Sequence, residues 1–237
     1  MCMELFKRLP PNTAGIDFFV GDIHGHYSEL MKALEAIDFK FDKDRLISVG
    51  DLIDRGEENE RCIELLHEPW FHACLGNHEW MMIGAFVYND RYDLSLQRGN
   101  GGEWLDNHDT EQLTQWAHLL QESCPLAIEV PGKGDRLIGV THNDVINSDW
   151  MRMESAQRGD IDECVWSRTR FASALTNPAL AEPIKNIDAV VSGHNSHTGI
   201  LLAGNQLYID TLWKSGQLTL LSAMEVLAVA ARGKVPV

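Results

Sequence analysis

Short apolar runs recur along the chain, each ending in a glycine or small polar residue that is followed at once by a metal-ligand type of side chain. Phe18-Phe19-Val20-Gly21 leads to Asp22, Leu46-Ile47-Ser48-Val49-Gly50 to Asp51, and Ala73-Cys74-Leu75-Gly76 to Asn77. Further on, Leu137-Ile138-Gly139-Val140-Thr141 leads to His142 and Ala189-Val190-Val191-Ser192-Gly193 to His194. Runs this short, with β-branched and aromatic members and a terminal small residue, read as buried strands.

Helical spacing fills the gaps. Ser28 is the expected cap of a helix carrying Leu30, Met31, Leu34 and Ile37. A second helix carries Cys62, Ile63, Leu65 and Leu66, with Pro69 just past its end. Thr110 is the expected cap of a third, holding Leu113, Trp116, Leu119 and Leu120. Residues 143–187 give a mixed pattern. Strands return over Thr198–Leu202, Gln206–Asp210 and Gln217–Leu221, with a hairpin turn at Gly204-Asn205. The tail from Ala223 to Ala231 fits strand or helix.

Strand alternating with helix predicts an α/β fold built on a βαβαβ unit. In such sheets the loops leaving the carboxyl ends of the strands gather on one edge, where ligands bind. The residues that follow the runs therefore converge in space although they span positions 22 to 194.

Composition narrows the picture. A chain of 237 residues reads as a single domain, 1–237, able to bury its core unaided. Its 35 acidic against 20 basic residues give −15, which repels a phosphate backbone and argues against nucleic acid as a partner. No segment is apolar for long enough to predict a membrane span or a signal peptide. The cysteines (Cys2, Cys62, Cys74, Cys124, Cys164) are scattered without a Cys-x-x-Cys pair, so reduced thiols in the cytoplasm are expected.

The chemistry lies in Gly21-Asp22-Ile23-His24-Gly25, Gly50-Asp51-Leu52-Ile53-Asp54-Arg55-Gly56 and Gly76-Asn77-His78-Glu79, with His142 and His194 behind them. Oxygen and nitrogen ligands without thiolate suit Mn²⁺, Fe or Zn²⁺. Asp22 and His24 lie two apart on one loop and can turn to one ion. The two oxygens of Asp51 can bridge two, and Asn77, His142 and His194 complete a set of six. Two divalent ions, two carboxylates and a hydroxide leave a local charge of roughly +1, which Arg55 increases; an anionic phosphate then binds despite the global charge.

These motifs, in this order and spacing, resemble the phosphoprotein phosphatase family of metallophosphoesterases, in its compact bacterial and phage branch, over roughly Gly21 to Leu220. Asn-His-Glu, in place of the Asn-His-Asp common among wider metallophosphoesterases, carries the likeness to that family. The resemblance implies a sandwich of two mixed β-sheets flanked by helices, with a dinuclear centre at the strand ends. It places Asp22, His24 and Asp51 on one ion, and Asp51, Asn77, His142 and His194 on the other, Mn²⁺ being the working ion. It implies direct attack on phosphorus by a metal-bridging hydroxide. His78 matches the general acid and Asp54 its partner; Arg55, Arg168 and Asn77 match the groups that hold phosphate. The chain departs from the family where His142 is followed by Asn143-Asp144 and His194 by Asn195-Ser196, in place of the more usual His-Thr-Pro. Arg170 is the alternative to Arg168. His26 and His197 are expected outside the ligand set, and Trp213 and Lys214 are candidates for the flank of the cleft.

The resulting expectation is a metal-dependent phosphomonoesterase acting on phosphoserine or phosphothreonine in a phosphoprotein or phosphopeptide. The alternative of the same fold is a symmetrical dinucleoside polyphosphate hydrolase, against which the intact Asp54-Arg55-Gly56 and Glu79 weigh. A non-catalytic phosphoprotein-binding module is the rival of another class, and the full ligand set with its acid weighs against it.

Overall fold

A computed structural model of the chain describes residues 3–177 and 181–232. β1 (Phe6–Arg8) precedes the predicted βαβαβ unit: β2 (Asp17–Val20), α1 (Tyr27–Ala36), β3 (Arg45–Ser48), α2 (Asn59–Glu64) and β4 (Phe71–Ala73). The helical middle holds α3 (Asn77–Phe86), α4 (Arg91–Arg98) and α5 (Thr110–Ser123). β5 (Ala127–Pro131) and β6 (Leu137–Thr141) follow. The mixed stretch resolves into short helices, α6 (Trp150–Glu154), α7 (Ile161–Trp166) and α8 (Thr169–Thr176); residues 178–180 within it lie outside the described residues. Last come β7 (Ala189–Ser192), β8 (Leu201–Ala203), β9 (Gln206–Tyr208), α9 (Leu212–Ser215), β10 (Leu220–Ser222) and α10 (Ala223–Arg232).

The strands form two mixed sheets. One runs β10-β2-β3-β4, parallel except for β10; the other runs β1-β5-β6-β7-β9-β8. Alternation along the strands decides what lies between them. Phe19 and Ile47, paired across β2 and β3, point at the second sheet and pack in one cluster with Ile128, Val130, Val140 and Val191. Val20 and Leu46 point the other way, into a cluster with Leu30 and Leu34 of α1, Ile63 of α2 and Met82 and Ile83 of α3. The order of layers is therefore helices, sheet, sheet, helices, as a metallophosphoesterase sandwich requires. On the outer face of the second sheet, Trp150 of α6 lies flat against Gly139, where any Cβ would collide with the indole, and its N–H donates to Glu129 at 2.9 Å.

Several boundaries differ from the expectation. α1 starts one residue before Ser28, which donates its N–H and its hydroxyl to the Glu58 carboxylate at 2.7 Å each; the cap comes from a loop 30 residues away. α5 is capped by Asp109, which accepts from Gln112 N–H at 2.8 Å, and Thr110 is its first helical residue. The ambiguous tail is a helix, with Val226, Leu227 and Ala230 buried against the sheets. Gly204 turns the predicted β8–β9 hairpin in a left-handed conformation. Cys62, Cys74, Cys124 and Cys164 are buried free thiols; Cys2 lies outside the described residues. Among the described residues no helix is long and apolar enough to cross a membrane.

Candidate active site

β2, β3 and β4 of one sheet, and β6 and β7 of the other, present their carboxyl ends to the same edge, and each delivers one motif there. The loops are stitched together by backbone. Ile23 and His24 donate to Asp51 O at 3.0 and 2.8 Å, Gly25 donates to Leu52 O at 2.8 Å, and Gly193 donates to His142 O at 2.8 Å. The turns are tight enough to force left-handed backbone on His24 (φ 45), Asp51 (φ 51), Asp54 (φ 73), Arg55 (φ 74) and His194 (φ 62). Such conformations cost of order 1–3 kcal/mol each. A buried apolar side chain contributes about 1.5–3 kcal/mol, so the apolar interface between the sheets outweighs that strain.

The spacing is tightest around Asp51. Its Oδ2 lies 3.5 Å from His24 Nε2 and its Oδ1 lies 3.4 Å from His142 Nε2. Asn77 Oδ1 lies 3.0 Å from His142 Nε2 and 2.8 Å from His194 Nδ1. Asp22 Oδ2 stands 3.9 Å from His24 Nε2, and its carboxylate accepts the His194 N–H at 3.0 Å. A Cβ at Gly193 would collide with Asp22, so only glycine leaves that carboxylate its place. Asp22, His24, Asp51, Asn77, His142 and His194 are all buried. Among the described residues, the atoms that could hold a metal ion form two groups, His24, Asp51 and His78 on one side and Asp51, His142 and His194 on the other, within 4.8 Å inside each group. His78 joins the first group because its Nε2 lies 3.9 Å from Asp51 Oδ2.

The donor set fits divalent cations on its own chemistry. His24 Nδ1 meets Ile53 O at 3.0 Å and His142 Nδ1 meets Val49 O at 2.9 Å, so in both neutral rings Nδ1 carries the proton and Nε2 turns its lone pair inward. The His142 lone pair faces Oδ1 of Asp51 and Oδ1 of Asn77, acceptor against acceptor, which a cation between them would relieve; the His24 lone pair faces Asp51 Oδ2 and also meets the Arg55 guanidinium. The titration of the cluster shows the same imbalance. Burial, then Asp210 and Asp51, push the Asp22 carboxyl well above the usual range. Burial pushes His24 well below its ordinary value. Burial and the neighbouring His142 take His194 down to about 3, and its Nε2 is buried without a hydrogen-bond partner. Burial also opposes charge on Asp51, but His142, His78 and His24 overcome it and hold the carboxylate well below the usual range. His142 is correspondingly raised by Asp51 against its own burial.

The Asp54–His78 pair borders this cluster. His78 Nδ1 lies 2.6 Å from Asp54 Oδ2, both side chains are buried, and Asp51 and Asp54 raise the imidazole against the effect of burial. Arg55 Nη1 and Nη2 lie 2.8 Å from His24 Nε2 and 3.2 Å from His78 Nε2. Arg55, Arg168, His194, Asp210, Trp213 and Lys214 line one cleft of about 560 Å³. The Arg55 guanidinium sits 5.8 Å from the Trp213 ring. Arg170 points elsewhere, donating to Glu182 O at 2.6 Å and Ala203 O at 2.9 Å. His26 and His197 meet backbone carbonyls, Ile23 O and Gly199 O, outside the ligand groups.

Other residues shape the site through contacts that the motifs themselves do not disclose. The wholly buried Glu79 accepts from Asp51 N (2.8 Å), Leu52 N (2.8 Å) and Gly76 N (2.9 Å), which locks two motif loops together; burial and Asp51 raise it to about 7. The departures after His142 and His194 form a bridge: Asn195 donates to Asn143 Oδ1 at 2.8 Å, Asn143 donates to Ser167 O, and Arg168 donates to Asn195 Oδ1 at 3.1 Å. Where the family more often carries Thr-Pro, this chain ties both histidine loops to Arg168. Asp210 reaches the site from the loop after β9, pushed up to about 6 by burial and Asp51.

A two-sheet sandwich whose joined edge gathers carboxylates, an amide and imidazoles beside two arginines defines a metallophosphoesterase. The chain belongs to the calcineurin-like phosphoesterase family, whose model matches residues 18–197. Over 195 residues it is 35% identical to serine/threonine-protein phosphatase 2 of Salmonella typhimurium, covering 81% of this chain and 85% of the relative. It is 44% identical to the symmetrical bis(5'-nucleosyl)-tetraphosphatase of Actinobacillus succinogenes over 70 residues, 29% of this chain and 26% of that one. The crystal structure of a cold-active protein-tyrosine phosphatase from a Shewanella species shares the fold, with a TM-score of 0.55 at 19% identity over 93% of this chain and 78% of that one.

Proposed function

We propose that the chain is a metal-dependent phosphomonoesterase acting on phosphoserine and phosphothreonine in proteins. The observation that carries this reading is the buried Asp54–His78 pair, at 2.6 Å, set between the ligand cluster and Arg55. A binding module has no use for a desolvated acid pair at that place.

Asp22, His24 and Asp51 would hold one divalent ion and Asp51, Asn77, His142 and His194 a second, Mn²⁺ being the ion we favour; when bound, they polarise a water and the phosphoryl oxygens. Arg55 and Arg168, which line one cleft, would grip the phosphate, a planar guanidinium matching two of its oxygens. Arg55 leaves its imidazole contacts to do so, which frees His78 Nε2. Asp54 fixes the proton on Nδ1 of His78, and the imidazole delivers its Nε2 proton to the departing serine or threonine oxygen. The shallow cleft measures the phosphate more than the leaving group, so aryl phosphates are substrates too. The buried free thiols support a reducing compartment, the cytoplasm, as the setting we favour.

A second reading rests on the 44% identity to the bis(5'-nucleosyl)-tetraphosphatase and on exposed Trp213 beside Arg55, where a nucleobase can stack. Side-by-side turnover separates the two. The proposal expects a phosphoserine peptide to be hydrolysed and diadenosine tetraphosphate to be turned over far more slowly; the opposite order would overturn it.

A further inference from the structure

The carboxylate of Asp54 has more partners than His78 explains. Oδ1 accepts the Trp104 indole N–H at 2.7 Å, and the Gln97 amide lies 3.3 Å from Oδ1 and 3.2 Å from Oδ2. Both residues come from the helical middle, Gln97 from α4 and Trp104 from the 3-10 turn Glu103–Asn107, roughly 45 residues along the chain from Asp54. We propose that Trp104 and Gln97 are positioning residues that hold the Asp54 carboxylate aligned, and through it set the proton-donating geometry of His78.

Asp54 and Gln97 are fully buried, so the oxygens of Asp54 must find their donors within the protein. An indole N–H can only donate. It therefore fixes Oδ1 as an acceptor and leaves Oδ2 free to take the Nδ1 proton of His78. Gln97 leaves its own Oε1 buried without a partner. An amide kept at that cost is kept for its donor end. Neither residue is loosely placed. Trp104 packs against His108 and Trp116, with ring centroids 5.5 and 5.9 Å away, and Gln97 O accepts from Asn100 N and Gly102 N. The same segment holds the backbone of Arg55, whose N–H donates to Gly101 O at 2.9 Å. A shift of α4 would thus be felt by the acid and by the phosphate grip together.

The inference rests on the reading of His78 as the acid, and the experiment separates the two. With Mn²⁺ present, kcat and KM are measured on 4-nitrophenyl phosphate, whose leaving group needs no proton, and on phenyl phosphate and a phosphoserine peptide, whose leaving groups do. Trp104→Phe is expected to lower kcat by roughly ten-fold on the poor leaving groups, a fraction of what general acid catalysis supplies, and by less than about two-fold on the good one. KM and the two bound Mn²⁺ stay unchanged. In an Asp54→Asn background the same substitution has no further effect, because the partner through which it acts is gone. Gln97→Met gives the same selective loss at smaller size, and decides the matter if Trp104→Phe does not fold. A uniform loss on all three substrates, or full additivity with Asp54→Asn, overturns this inference alone. If His78→Asn itself shows no sensitivity to the leaving group, the reading of His78 as the acid falls, and this inference with it.

Discussion

Asp51 faces His142 with one oxygen and His24 with the other, so one carboxylate spans the whole ligand cluster. If it bridges two ions, Asp51→Asn removes the charge both share, and Mn²⁺ affinity falls at both positions together by more than about a hundred-fold, beyond the effect of losing an outer-shell partner. Metal analysis after gel filtration checks this; two ions retained in the variant would contradict the bridge. His78→Asn makes a different prediction. Metal content is kept, and the rate loss is greater for a phosphoserine peptide than for 4-nitrophenyl phosphate, since only the serine alkoxide needs a proton. At this scale the meeting of Asp22, His24, Asp51, Asn77, His142 and His194 on one edge was legible in the sequence, because each motif follows the end of an apolar run and strand ends meet. Trp104, Gln97 and the Asn143–Asn195 bridge were not. Their partners lie on other segments, and a contact between distant loops leaves no period along the chain.

The elements hold these residues by means that strand and helix patterns only partly disclose. Alternation in β2 and β3 was readable and sets Phe19 and Ile47 against the second sheet. The expected helix caps lie two residues late in α1 and one late in α5, because Glu58 serves α1 from another loop and Asp109 rather than Thr110 caps α5. Glu79, on the first turn of α3, joins the β3 loop to its own helix start through three N–H donors. Glu79→Gln turns an NH₂ toward donors that have no other acceptor, and a loss of about 2–4 kcal/mol in denaturant unfolding is expected. A loss under about 0.5 kcal/mol would show that the clamp is dispensable.

His72 in β4 gives a pH prediction for the sheet. Burial, with Lys7 and Arg45 nearby, lowers it from 6.5 to about 4. The folded state therefore resists a proton that the unfolded chain accepts. The contribution of the neutral ring is complete above pH 6.5 and is lost as pH falls toward about 4. Thermal midpoints of His72→Gln measured across that window should decline less than those of the unaltered protein. Parallel declines would remove His72 from the account.

For the whole molecule, the two sheets meet with their active edges side by side, and the edge is overloaded with acceptors while the chain carries −15. Ions that bind the folded site and not the unfolded chain must then stabilise the fold. At a hundred times its dissociation constant, one ion contributes about 2.7 kcal/mol, enough to raise the melting temperature of a chain this size by about 5 °C. The alternation of strand and helix made the sandwich legible, whereas the pairing of its two sheets emerges only from packing, as in the seating of Phe19 and Ile47 among Ile128, Val140 and Val191. The claim beneath the account is that two cations share this edge across Asp51. Anomalous diffraction from crystals soaked in Mn²⁺ tests it most directly: two peaks flanking the Asp51 carboxylate, one beside His24 and one among Asn77, His142 and His194, are the expected result. A single peak, or peaks remote from Asp51, would contradict it.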